Sequence, residues 1–217
     1  MSADQAIVDL LGNTEHFLRT NCLMISGGSS AAEAGAATFW MTVRSSGGFG
    51  ASKLNLEAAK GKTNLFPAWY VPMQQLGAVG APTFAVNWLP TGAESDIRLM
   101  VTSQLTACLF GMARTGGKLG VAHIQPDATA YTQVPETQRH ALRQSDLRMA
   151  ARVKGLTTLA AQGGTKSAFS VVGDDAYDRT NHECVTIVGV RGDNDQWAIY
   201  KQKWSTKTNT VLDVTTR

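Results

Sequence analysis

The stretch VTSQLTACLFGMARTGGKLGVAHI, residues 101–124, predicts a β-hairpin. Its two apolar arms, Leu109–Arg114 and Leu119–Ile124, flank a turn that contains Gly116 and Gly117, and glycine adopts positive φ without a steric cost. The arms of an antiparallel hairpin lie about 5 Å apart. The start of the first arm is therefore expected beside the end of the second.

A thiol and an imidazole are predicted to meet at those two ends. Cys108 and His123 lie fifteen residues apart. A neighbouring imidazolium lowers the pKa of a thiol, and the imidazole can then protonate a leaving amine or ammonia. A third group usually orients the imidazole, and Thr102, six residues before the cysteine, is the candidate. Backbone N–H groups in the turn over residues 105–108 are candidates for an oxyanion hole.

This segment resembles the catalytic motif of a group of bacterial toxins, the cytotoxic necrotizing factors and Burkholderia lethal factor. It is also similar to the chemoreceptor glutamine deamidase of bacterial chemotaxis. The run Leu105-Thr106-Ala107-Cys108 looks like the Leu-Ser-Gly-Cys of the toxins, with alanine in place of glycine. Ala113-Arg114-Thr115-Gly116 falls where the necrotizing factors have Ala-Arg-x-Gly. The resemblance covers roughly residues 100–124.

The resemblance implies that Cys108 is the nucleophile, His123 the acid/base and Thr102 the orienting group. It implies deamidation of a glutamine side chain on a host protein, with no metal or organic cofactor. A Rho-family GTPase or a translation factor is the target that the family suggests. The chain is accordingly expected to be a secreted toxin or effector that acts in the host cytosol.

Other functions would use the same residues. A transglutaminase would pass the same acyl group to an amine, and a cysteine peptidase would use the same dyad. A non-catalytic interaction domain would hold Cys108 as a buried, inert side chain. A toxin domain of another chemistry could carry the motif by chance. The residues alone do not choose among these alternatives.

The composition predicts one globular domain over residues 1–217 and excludes some partners. A net charge of +3 is too small to indicate nucleic-acid binding. Three widely spaced cysteines make no disulfide framework and fit a reducing compartment. The N-terminus lacks a basic region followed by an apolar run, so no Sec signal peptide is expected. No apolar stretch is long enough to predict a membrane span.

The remaining pattern predicts helices at two places and strands at several others. Residues 3–20 have helical spacing with a capping-box signature at Ser2 and Gln5, and a second helical region begins at His140. Residues 26–37, rich in Gly, Ala and Ser, are predicted as a mobile loop. Alternating side chains predict strands at 38–46, Phe84–Leu89, Ile97–Thr102, Phe169–Val172, Cys184–Arg191, Gln196–Trp204 and Val211–Val214.

The order of these elements favours an α+β fold. Phe84–Leu89 is expected to pair with Ile97–Thr102, and a turn over residues 192–195 is expected to join two later strands. Neighbouring strands joined by tight turns predict a sandwich of mixed or antiparallel sheets flanked by helices. The toxin resemblance implies a similar α/β/β/α sandwich.

Overall fold

The computed structural model describes residues 2–26, 34–46, 49–56, 65–78, 81–106, 108–125, 133–135, 137–139, 141–142, 150, 169–172 and 182–217. The chain divides into two compact units. The first contains Met1–Pro72, Pro90–Thr106 and Ala176–Arg217, and the second contains Met73–Leu89 and Ala107–Asp175. Strands predominate over helices in this mixed α and β structure. The single domain over 1–217 stays a prediction.

The predicted helix over residues 3–20 is two helices, α1 over Ala3–Gly12 and α2 over Thr14–Thr20. The side chain of Ser2 accepts a hydrogen bond from the Gln5 N–H at 3.1 Å and so caps α1, as predicted.

The break between the helices lies at Asn13. Its N–H donates to the carbonyl of Asp9 and closes α1, while its side chain accepts from the N–H of His16 and opens α2. A short polar side chain that bonds to the local backbone competes with helix continuation, which explains the break.

Within the described residues, fifteen strands follow the helices. Numbered along the chain, they are β1 Asn21–Ser26, β2 Gly35–Ser46, β3 Phe49–Leu56, β4 Leu65–Val71, β5 Met73–Gln75, β6 Gly77–Ala78, β7 Ala81–Pro82, β8 Asn87–Trp88, β9 Leu99–Thr102, β10 Leu109–Thr115, β11 Lys118–Gln125, β12 Phe169–Val172, β13 Glu183–Arg191, β14 Trp197–Ser205 and β15 Thr210–Thr216. The strands predicted after residue 168 are confirmed to within two residues at each end.

The first unit holds an open eight-stranded sheet in the order β1-β3-β2-β4-β9-β13-β14-β15. The pairs β1–β3 and β4–β9 are parallel and the others antiparallel, so the prediction of a mixed sheet is confirmed. The helices bury the apolar face predicted from their spacing, including Leu10, Phe17 and Leu18, in the core of this unit.

Side chains of β13 and β14 satisfy the backbone of β1. The fully buried Gln202 accepts from the Leu23 N–H at 2.8 Å and donates to the carbonyls of Leu18 and Asn21. The hydroxyl of Thr186 donates to the carbonyl of Leu23 at 2.6 Å. The first strand is therefore held against the last strands by polar side chains.

The adhesion-like tripeptide Arg191-Gly192-Asp193 lies where β13 ends and the turn to β14 begins. The predicted hairpin is confirmed, and Arg191 pairs with Trp197 across the turn. The Arg191 side chain is buried and donates to the carbonyls of Pro90 and Ser95. A buried guanidinium cannot meet an adhesion receptor, so this arginine is structural.

The second unit contains the sheet β12-β10-β11-β5, to which β8 adds through β11, and the small ladder β6–β7. The predicted hairpin is confirmed, because β10 and β11 pair up to Thr115 and Lys118. Gly116 and Gly117 have φ of 52° and 80° and make the two-residue turn.

Three sequence-based expectations were wrong or fall partly outside the described residues. Only Asn87–Trp88 of the strand predicted at 84–89 forms, and it pairs with β11, because β4 and β13 occupy both edges of β9. Residues 35–37 of the predicted loop belong to β2, and 27–33 lie outside the description. Most of the helical region from His140 also lies outside it. Within the described ranges, no helix is both long and apolar enough to cross a bilayer.

Candidate active site

Cys108 and His123 both belong to the sheet of the second unit. Cys108 immediately precedes β10 and is 6% exposed, and His123 lies within β11 and is 0% exposed. The observed register places Phe110, not Cys108, opposite His123. Continuing the ladder one residue beyond the Leu109–Ile124 pair puts Cys108 opposite Gln125. Cys108 is then diagonal to His123 on the same face, since alternate residues of a strand share a face.

Met73 links the two residues. The Cys108 thiol lies 3.5 Å from the Met73 thioether, measured from Sγ to Sδ. Met73 is the residue of β5 that pairs directly with His123. Because β5 and β10 flank β11, they lie about 10 Å apart. The two sulfur atoms therefore meet on the face of the strand that carries the imidazole.

Burial decides the protonation state of the imidazole. It lowers the pKa of His123 from 6.5 to about 3, because the charged form loses its hydration. The imidazole is therefore neutral at physiological pH. The imidazolium that the sequence analysis expected beside the thiol is disfavoured, and the arrangement suits a neutral imidazole that accepts the thiol proton as bond formation begins.

Acidification is expected to destabilise the native chain more than a His123→Gln variant. Between a pH of about 3 and 6.5 the unfolded chain binds a proton at His123 that the folded chain does not. The contribution of neutral His123 to the free energy of unfolding is therefore complete above pH 6.5. It declines towards pH 3 by at most about 1.4 kcal/mol per pH unit. Urea unfolding of both proteins at several pH values measures the difference. Equal slopes would show that the folded imidazole titrates normally.

The other two cysteines lie in the first unit and have a different environment. Cys22 and Cys184 are fully buried with Trp204, and none of the three cysteines of the sequence forms a disulfide. Burial raises the pKa of Cys22 to about 11 and that of Cys184 to about 12, with a smaller contribution to the latter from the charge of Cys22. Thiols of this kind are inert at neutral pH, and they serve as internal standards for Cys108.

Thr102 belongs to the first unit. It is fully buried on β9, and its hydroxyl donates to the carbonyl of Val71 at 2.7 Å. Its hydroxyl proton is therefore directed at β4. The role of Thr102 as the group that orients His123 stays a prediction.

One predicted oxyanion-hole donor is already used. The N–H of Leu105 donates to the carbonyl of Val185 at 2.8 Å, and the Val185 N–H returns the bond at 3.0 Å. Leu105 is therefore removed from the set of donors. Ala107, where the toxins have glycine, lies outside the described residues. The role of the other N–H groups of residues 105–108 as oxyanion-hole donors stays a prediction.

No protein-family model matches this sequence, and no curated protein matches it either. The resemblance to the deamidase toxins therefore rests on the motif residues.

Two features of possible functional use gave no signal in the sequence. Met73 follows a proline in an aromatic-rich segment, and its contact with Cys108 depends on a non-local parallel pairing. The first unit also has a cleft of about 470 Å³ between the α1–α2 corner and the β13–β14 hairpin. Arg98, Trp197 and Tyr200 are among its lining residues.

In the described part of the chain, no three His, Cys, Asp or Glu side chains are grouped to hold a metal.

Proposed function

We propose that this chain is a cysteine-dependent protein-glutamine deamidase, a bacterial toxin or effector with an α/β/β/α sandwich. The observation that carries the proposal is the 3.5 Å contact of Cys108 Sγ with Met73, the register partner of His123. It supports a nucleophile and a neutral base on one face of one sheet. The resemblance of the residues around Cys108 to the toxin motif is the reason for proposing glutamine as the substrate.

The proposed reaction has two halves. His123 accepts the Cys108 proton while Sγ attacks the glutamine carboxamide carbon, and the C–N bond then breaks as the imidazolium protonates the departing ammonia. The thioester is hydrolysed by a water molecule that gives one proton to His123. The thiol recovers this proton when the C–S bond breaks, and glutamate is released. Atoms and protons balance without a metal or an organic cofactor.

The substrate is proposed to be a surface glutamine of a host cytosolic protein. A Rho-family GTPase or a translation factor is the class that the motif resemblance suggests. Cys108 is 6% exposed, so the substrate must reach the thiol with a slender side chain. The extended, uncharged glutamine side chain meets that requirement.

The reaction class can be tested in heavy-oxygen water. The chain is incubated with a eukaryotic cytosolic extract in H₂¹⁸O, and the peptides are analysed by mass spectrometry. Deamidation places one oxygen of water in the new carboxylate, so the target glutamine gains about 3 Da instead of about 1 Da in ordinary water. The Cys108→Ala chain, treated in parallel, is expected to leave the same peptide unlabelled.

Other results identify the rival reactions. New peptide ends with the heavy isotope would indicate a peptidase. A glutamine that gains an added primary amine, and no heavy oxygen, would indicate a transglutaminase. Labelling that persists with Cys108→Ala would contradict the proposal, because the extract would then contain the activity.

A non-catalytic interaction domain is the second candidate, and the burial of Cys108 and His123 favours it. A structural cysteine is expected to react with iodoacetamide as slowly as Cys22 and Cys184 do in the same protein. A reactive nucleophile is expected to label faster than these two, and the rate is expected to fall in His123→Ala. Peptide-resolved labelling therefore separates the candidates without a substrate.

A further inference from the structure

Three side chains that can bind a metal lie at neighbouring positions of the sheet in the second unit. They carry the thiol of Cys108, the thioether of Met73 and the imidazole of His123. The sulfur atoms are 3.5 Å apart, and Met73 and His123 are direct partners in the ladder of β5 and β11. Directly paired residues project from the same face of a sheet. The sulfurs and the imidazole therefore share one face.

We propose that Cys108, Met73 and His123 form a binding site for a soft monovalent metal ion, Cu(I). Thiolate, thioether and imidazole are the ligands that Cu(I) prefers over the hard oxygen ligands of magnesium or calcium. Two sulfurs that each lie about 2.3 Å from one ion in a trigonal arrangement are about 4 Å apart. The observed separation is close to that value, so small side-chain movements admit the ion.

The state of the ligands also suits the metal. A histidine binds a metal through a neutral ring nitrogen, and a cysteine binds it as the thiolate. Binding replaces the S–H bond of Cys108 by a bond to the metal and releases one proton to solvent. The charge of the ion and that of the thiolate then cancel, so the buried site gains no net charge. Met73 is only half-buried and provides the side from which the ion enters.

The metal site does not depend on the proposed reaction, although a bound ion would occupy the sulfur lone pair that the reaction needs. The other cysteines require a control, because Cys22 and Cys184 also lie beside a methionine, Met24. Met24→Leu is therefore the matched control for Met73→Leu. Both replacements conserve volume, so both variants are expected to fold.

The test is an anaerobic titration of the reduced protein with Cu(I), with bicinchoninate as the competing chelator. Met73→Leu and Cys108→Ser are each expected to weaken binding of one equivalent by about 10-fold or more, and Met24→Leu is expected to leave it unchanged. X-ray absorption of the one-equivalent complex is expected to show two sulfurs and one nitrogen around copper.

Two results would overturn the site. The first is unaltered binding in Met73→Leu. The second is weaker copper binding in Met24→Leu together with unchanged binding in Cys108→Ser. That result would place the ion at Cys22 and Cys184. Copper binding that follows the expected pattern in a chain without deamidase activity would reject the proposed function and leave the metal site in place.

Discussion

Replacement of Cys108 by serine is expected to lower the rate of the proposed glutamine deamidation by about 10³-fold or more. A serine hydroxyl is a far weaker nucleophile than a thiol, and a neutral imidazole without further help does not remove its proton efficiently. The rate is measured as the appearance of ¹⁸O-labelled glutamate in the target peptide. The His123→Ala substitution removes the proposed base and is expected to lower the same rate by about 10²- to 10⁴-fold.

The matched control is Cys22→Ala. Cys22 is a buried thiol of the first unit whose pKa is raised to about 11 by burial, so the variant removes a thiol that takes no part in the reaction. It is expected to keep the wild-type rate once the fraction of folded protein is taken into account. A Cys108→Ser chain that deamidates at the wild-type rate would remove Cys108 from the mechanism.

Gln202→Leu is expected to destabilise the first unit by about 3–9 kcal/mol, a large part of the stability of an ordinary domain. The Gln202 amide forms hydrogen bonds with three backbone groups: the N–H of Leu23 and the carbonyls of Leu18 and Asn21. Leucine has a similar volume but no polar atoms. Each of these groups then stays buried without its partner, at about 1–3 kcal/mol for each.

Two measurements test this result. The free energy of unfolding in urea gives the size of the loss, and hydrogen exchange gives its place, because the Leu23 amide is expected to lose protection early. Gln196→Leu, the same substitution at an exposed position of the β13–β14 turn, is expected to change stability by less than about 0.5 kcal/mol. Retained protection of Leu23 in Gln202→Leu would mean that another contact holds β1.

Local signals made the hairpin of β10 and β11 predictable. Two glycines with positive φ and flanking apolar arms determine both its turn and its register. The offset of Cys108 from His123 follows from the same register, but it requires knowing that pairing is complete up to Thr115. The capping of α1 by Ser2 was predictable for the same reason, since both partners lie within one turn.

Long-range pairing explains what could not be predicted. β9 lies between β4 and β13, and nothing in the sequence Leu99–Thr102 predicts which strands pair with it. Strand β1 was missed because it pairs with β3 in a non-local parallel ladder, and because Leu23 bonds to side chains of β13 and β14 far along the sequence. Met73 reaches the candidate site through a three-residue parallel ladder, which is too short to leave a periodic pattern.

The first unit is assembled from three separate segments, and the last of them begins at Ala176. During synthesis, one edge of β9 therefore stays unpaired until β13 has been made, and the Leu23 N–H of β1 lacks its partner until Gln202 has been made. The nascent chain carries an open sheet edge from the synthesis of β9 until that of β13, and such edges favour pairing with other chains. A ribosome-associated holdase that covers this edge would raise the yield of native protein, and a chain that ends before β13 would be prone to aggregation.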